Sequence, residues 1–267
     1  MLLLQVTLVL YFLGTVLFLV YLVNRSEVVS KVAVGIAGLG FVTHTGGLAM
    51  QLFSVNQMQW VTFHKAMSFF SWSLVLVYMT VALRQKLYTI GSFIFPLAFL
   101  ALLSTAILPA ETPALNPILH AVWIHVALSM LGTVGFAVAF VSGLMYLMQE
   151  RLLKSKQVNV LSYQLPPLDF LDALNQRSIL LGFPFLTMGI LTGALSAQIT
   201  LGTYLNWNPE QAFALVTWVF YLIVLMGRVT MGWRAQKAAY LTIVGFAGVI
   251  LTFLGVILKG HGASVSL

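Results

Sequence analysis

Apolar residues in this chain come in runs of about twenty, broken only by short polar stretches and without the period-two alternation of half-buried strands. Wound at 1.5 Å per residue, such a run crosses roughly 30 Å of hydrocarbon as a helix, the element that satisfies its own backbone there. The pattern predicts eight spans: Leu2–Val23, Val32–Phe53, Met67–Leu83, Tyr88–Leu108, Val122–Met148, Ile179–Thr200, Gln211–Trp233 and Ala238–Leu258. The expected fold class is all-α, a polytopic transmembrane helix bundle forming a single transmembrane domain over residues 1–267. No basic segment precedes the first run and no small-residue cleavage signal follows it, so it is read as a retained span.

Composition supports this assignment: 60% of residues are hydrophobic and 7% charged, against a charged fraction of about 25% in soluble domains. Mean hydropathy is +1.00. The net charge of +7 sits in dispersed connections, a pattern that fits membrane orientation and argues against nucleic acid as a partner. Eleven of the thirteen basic residues (Arg25, Lys31, Arg84, Lys86, Arg151, Lys154, Lys156, Arg177, Arg228, Arg234 and Lys237) fall on one side, leaving Lys65 and Lys259 on the other. The positive-inside rule makes the crowded side cytoplasmic, with both termini on the outer side of a multi-pass protein of the inner (cytoplasmic) membrane. The longest connection, Gln149 to Arg177, contains Pro167 and then Leu168, Leu171 and Leu174 on one stripe, and predicts an interfacial helix on the lipid headgroups. The chain has no Cys, which excludes disulfides, thiolate metal sites and a self-attached c-type haem.

All five histidines fall in the outer half of this topology: His44, His64, His120, His125 and His261. A lone histidine near a helix end usually snorkels or caps, but five from four parts of the chain on one leaflet point to a shared polar site. His120 and His125, five residues apart, stand about 140° apart on a helix and cannot face the same way. His125 belongs to the helix proper. Imidazoles from two helices, such as His125 and His261, can ligate a haem iron axially. A closed zinc site fits less well, since Glu111 and Glu210 are the only acidic residues on that side. In the loop from Leu201 to Gln211, Asn208 reads as an N-cap, Pro209 as the first helical residue and Gln211 as a reciprocal capping partner. Tyr204, Trp207 and Trp218 read equally as an interfacial aromatic belt or as flat surfaces against which a porphyrin packs.

These residues resemble the cytochrome c assembly membrane proteins called CcsA, CcmC and HemX, most specifically from Trp123 to His261. Trp123-Ile-His-Val-Ala-Leu-Ser-Met-Leu-Gly is similar to the segment carrying the first external haem-ligand histidine, which implies that role for His125. Leu171 to Ile190 is similar to the family's entry into the sixth span. Gly260-His-Gly is similar to the second ligand segment, implying His261, and His44-Thr-Gly-Gly-Leu resembles a further family pattern. The family's tryptophan-rich loop is retained at Gly202, Tyr204, Trp207, Pro209 and Thr217-Trp218, and departs at Leu201, Leu205, Asn208, Glu210 and Gln211. Met226 stands where the synthase branch has a membrane-buried histidine. A retained fold with an altered loop places the resemblance nearest the HemX-like branch.

The expected function is haem handling at the outer face for cytochrome c maturation, with haem b held between His125 and His261 and with Tyr204, Trp207, His44 and His64 as further cofactor-binding candidates. The resemblance also implies an alternative, a HemX-like regulator of an early tetrapyrrole biosynthesis enzyme acting through the cytoplasmic loop. Both roles are haem-handling or regulatory, and a catalytic activity is not the expectation for either. The expected partners are haem, membrane lipid, and either cytochrome c assembly proteins or that tetrapyrrole enzyme. A b-type cytochrome is a rival, though it would usually bury its histidines deeper. A transporter is disfavoured because the span interiors hold no Asp or Glu and no paired broken helices.

Overall fold

The computed structural model describes residues 2–24, 26–53, 62–85, 87–108, 119–155, 165–205 and 207–262. Among them the chain is all-helical, with eight α-helices: α1 Leu2–Asn24, α2 Glu27–Phe53, α3 Phe63–Gln85, α4 Gly91–Ile107, α5 Leu119–Lys154, α6 Leu168–Leu201, α7 Pro209–Thr230 and α8 Ala235–Gly262. A single 3-10 turn, Tyr88–Ile90, leads into α4. Each predicted span falls on one of these helices, and all eight helices are long and apolar enough to cross a membrane.

The exception is the interfacial helix. Leu168, Leu171 and Leu174 form the opening turns of the 34-residue α6, which begins at Leu168 rather than at Ile179. The leucine stripe was a sound sign of an apolar face, but the face is turned into protein. Leu171 is fully buried, and Asn175, one turn on, donates its amide to the Ala139 carbonyl at 2.6 Å. At about 1.5 Å per residue, α6 is longer than the hydrocarbon slab is thick.

The chain divides into two compact units. The first comprises residues 1–60, 64–110 and 148–168, and so contains α1, α2, α4 and nearly all of α3. Its core is a cluster of rings, Tyr11, Phe18, Tyr78 and Phe95, with centroids 5.0 to 5.6 Å apart in mostly edge-on geometry. Glycines make room for them. A Cβ on Gly40 would stand 2.8 Å from the Tyr11 ring, and one on Gly91 would stand 2.9 Å from the Phe18 ring.

The second unit comprises residues 61–63, 111–147 and 169–267, which include most of α5 and α6 and all of α7 and α8. Phe136 of α5 stacks on Tyr221 of α7 at 3.7 Å and 6°, and Phe140 stacks on Phe246 of α8 at 4.6 Å. Pro209 occupies the first turn of α7 with Asn208 extended before it, as the sequence predicts, but the Asn208 side chain makes no capping hydrogen bond. Trp218 is a strut rather than a free belt residue. It stacks on Phe183 at 5.5 Å and donates Nε1–H to Thr187 Oγ1 at 2.9 Å, tying α7 to α6.

Candidate functional site

In the second unit, α5 and α6 approach backbone to backbone along a line of glycines. A Cβ on Gly132 would stand 2.7 Å from the Leu186 nitrogen, one on Gly135 2.7 Å from the Gly182 Cα, and one on Gly189 2.5 Å from Ser129 Oγ. Only residues without a side chain permit this approach. It carries the Gly189 carbonyl of α6 to the ring of His125 on α5, where Nδ1 and the carbonyl oxygen are 2.7 Å apart. A carbonyl only accepts, so Nδ1 carries the proton and Nε2 keeps an in-plane lone pair. Ser129 Oγ, at 3.5 Å from Nδ1, is too distant to compete. Among the described residues Nε2 has no hydrogen-bond partner. A histidine fixed through one nitrogen by a backbone carbonyl, with the other left as a donor, is the arrangement that orients metal-ligating imidazoles.

His125 lines a cavity of about 350 Å³ enclosed by α5, α6, α7, α8 and the loop before α7, within the range of small-molecule sites. Its walls are mostly apolar, with Met130, Phe136, Leu186, Ile190, Val249 and Phe253 among them, and among the described residues none that lines it carries a full charge. The hydroxyls of Thr133, Ser196 and Thr252 donate to carbonyls four residues back in their own helices. Thr217 Oγ1, buried in the wall, has no partner among the described residues. This donor set and these walls fit a haem: a neutral imidazole suits iron, and apolar walls suit a porphyrin ring.

Tyr204 lines the same cavity and is 56% exposed. Trp207, in the same loop, is 72% exposed, and its φ of +52° is a left-handed conformation uncommon for a bulky side chain. Strain of this kind clusters at functional sites. His44 and His64 belong to the first unit. His44 is fully buried, with Nδ1 3.1 Å from the Tyr11 hydroxyl and Nε2 3.0 Å from Ser68 Oγ, so both ring nitrogens are engaged. His64 Nε2 donates to the Leu108 carbonyl at 3.2 Å. The side chains of His120 and His261 lie outside the described residues.

One polar cluster went unanticipated. Arg228, expected among the basic residues of the cytoplasmic side, is 5% exposed; it bonds Asn175 Oδ1 and lies 3.3 Å from Asp172 Oδ1. Asn175 also reaches Thr242 Oγ1 at 3.2 Å, and Asp172 accepts the first backbone N–H of α8 from Ala235 at 3.2 Å. The stretch Leu171-Asp-Ala-Leu-Asn contained the signal, since it puts two polar side chains beside a buried leucine.

The fold and site define a class: a multi-pass helical membrane protein that presents a neutral imidazole donor to an apolar, helix-lined cavity. The chain matches the family described as Cytochrome C assembly protein over residues 60–263 and belongs to that family. It is similar to the cytochrome c biogenesis protein CcsA of Guillardia theta, with 30% identity over 220 residues covering 74% of this chain and 73% of that protein. It is also similar to CcsA of Chlamydomonas reinhardtii, with 32% identity over 206 residues, 74% of this chain and 58% of that one. A shorter match, 43% identity over 99 residues, joins 37% of this chain to 30% of CcsA of Synechococcus elongatus. These relatives carry the CcsA name, and the HemX-like placement expected from the altered loop finds no support among them.

Proposed function

We propose that this protein holds haem b at the outer face of the cytoplasmic membrane for cytochrome c maturation, with His125 and His261 as the residues that would hold its iron. The observation that carries the reading is the His125 ring, held through Nδ1 on the Gly189 carbonyl so that Nε2 is left as a donor beside an apolar cavity. Haem would supply an iron centre for that donor and an apolar ring for the walls. His125 would hold the iron, Tyr204 and Trp207 would offer ring faces at the loop, and the mostly apolar walls would keep water from the buried part of the ligand. His261 enters through its Gly-His-Gly setting near the end of α8. His44 and His64 serve the first unit in this reading, because His44 bonds Tyr11 and Ser68 and His64 bonds the Leu108 carbonyl, all within that unit. Residues 1–267 act as one membrane domain, with lipid around it and cytochrome c assembly proteins as partners.

The test is optical. Purified full-length protein loaded with haem should show a Soret band that moves on reduction and is lost in a His125→Ala, His261→Ala double variant. An unaltered band in that variant would overturn the site. In either single variant, added imidazole should restore low-spin character by replacing the missing nitrogen.

A further inference from the structure

The second lone pair of a helical carbonyl rarely meets a side chain from another helix, because side chains normally keep helix axes 8–10 Å apart. The glycine line between α5 and α6 removes that spacing. The Gly189 oxygen lies 3.0 Å from Thr192 Oγ1 of its own helix, whose single proton has a nearer acceptor in the Met188 carbonyl at 2.8 Å, and it lies closer still, 2.7 Å, to His125 Nδ1. One turn further along α6, a Cβ on Gly193 would stand 2.6 Å from Nδ1 and 2.7 Å from Cε1 of the same ring. The imidazole therefore rests edge-on in a space that exists only because residue 193 has no side chain. The neighbour that would have to move is a side-chain ring, not backbone, so a methyl group at this position displaces His125 before it disturbs the helices.

We propose that Gly189 and Gly193 are positioning residues for His125: the Gly189 carbonyl selects the Nδ1–H tautomer, and the absent side chain at Gly193 gives the ring its seat. Only the haem readout below rests on the function proposed above; the tautomer readout does not. A tautomer bias of about tenfold is expected from one hydrogen bond of ordinary strength. Without it, an imidazole at this position would expose Nε2–H as readily as a lone pair.

Full-length protein without haem, labelled with ¹⁵N-histidine, tests this by NMR, with the His125 signals identified by their absence from His125→Ala. In the unsubstituted protein His125 should be protonated at Nδ1 and unprotonated at Nε2; an Nε2–H tautomer there overturns the proposal without any variant. Gly193→Ala should move the tautomer ratio about tenfold toward Nε2–H, whereas Gly38→Ala, whose Cβ would meet nothing within 4 Å, should leave it unchanged. An unchanged ratio in Gly193→Ala also overturns it. With ferric haem added, Gly193→Ala should lose low-spin character and regain it with imidazole. If His125→Ala instead keeps the full Soret band, the haem reading fails, and the tautomer measurement still decides the positioning role.

Discussion

His44 and His125 are both membrane histidines packed among helices, yet they are held differently. His44 sits in the first unit with a hydroxyl on each ring nitrogen, Tyr11 on one side and Ser68 on the other. It is a cross-brace joining α1, α2 and α3. His125 in the second unit is tied at one nitrogen only, and among the described residues its other nitrogen has no hydrogen-bond partner. Burial alone does not make a ligand. What separates the two is the number of nitrogens the surrounding protein has already engaged.

The largest expected effect lies across this pair. His125→Ala should lower haem retention at least tenfold, the loss of an axial bond, while leaving thermal unfolding in detergent nearly unchanged. His44→Ala should do the reverse, keeping the Soret band but destabilising the protein by roughly 2–4 kcal/mol, through two lost hydrogen bonds and a cavity. If His44→Ala loses haem with an unshifted melting curve, the division between brace and ligand is wrong.

The second unit has its own brace, Asn175, which joins Ala139, Thr242 and Arg228. Asn175→Leu removes a partner of a buried guanidinium and should cost about 3 kcal/mol in thermal unfolding, with the haem spectrum of the surviving protein intact. A loss of haem at full stability would tie the network to the cavity instead. Gly40→Ala should cost about 1–3 kcal/mol, because the new methyl group overlaps the Tyr11 ring, and haem retention should be untouched. The smallest effect is expected at Trp207. Trp207→Gly relieves a left-handed backbone and should raise stability by roughly 1 kcal/mol while weakening haem retention. A destabilised Trp207→Gly would mean that the side chain holds the loop rather than a ligand.

Much of the fold was readable from runs of apolar residues, because a membrane span is a local property of about twenty consecutive positions. The Leu168–Leu174 stripe shows the limit of that reading. Its periodicity correctly announced a helix with one apolar face, but periodicity does not say whether lipid or protein covers the face. Asn175 and Arg228 lie 53 residues apart and meet only because α6 and α7 pack together. The site was half legible. His125 could be singled out by its place in a helix and by family resemblance, whereas the partner that fixes its ring is a glycine carbonyl, an atom every residue has.

The sequence by itself determined that this is a multi-pass helical membrane protein, where the spans run, and that imidazole was the donor chemistry to look for in a chain without cysteine. Tertiary structure decided which imidazole keeps a nitrogen for a ligand. That choice depends on hydrogen bonds at 2.7 to 3.1 Å between helices distant in sequence. Such contacts are set by how closely two backbones approach, and a line of glycines permits that approach without specifying which neighbour fills it.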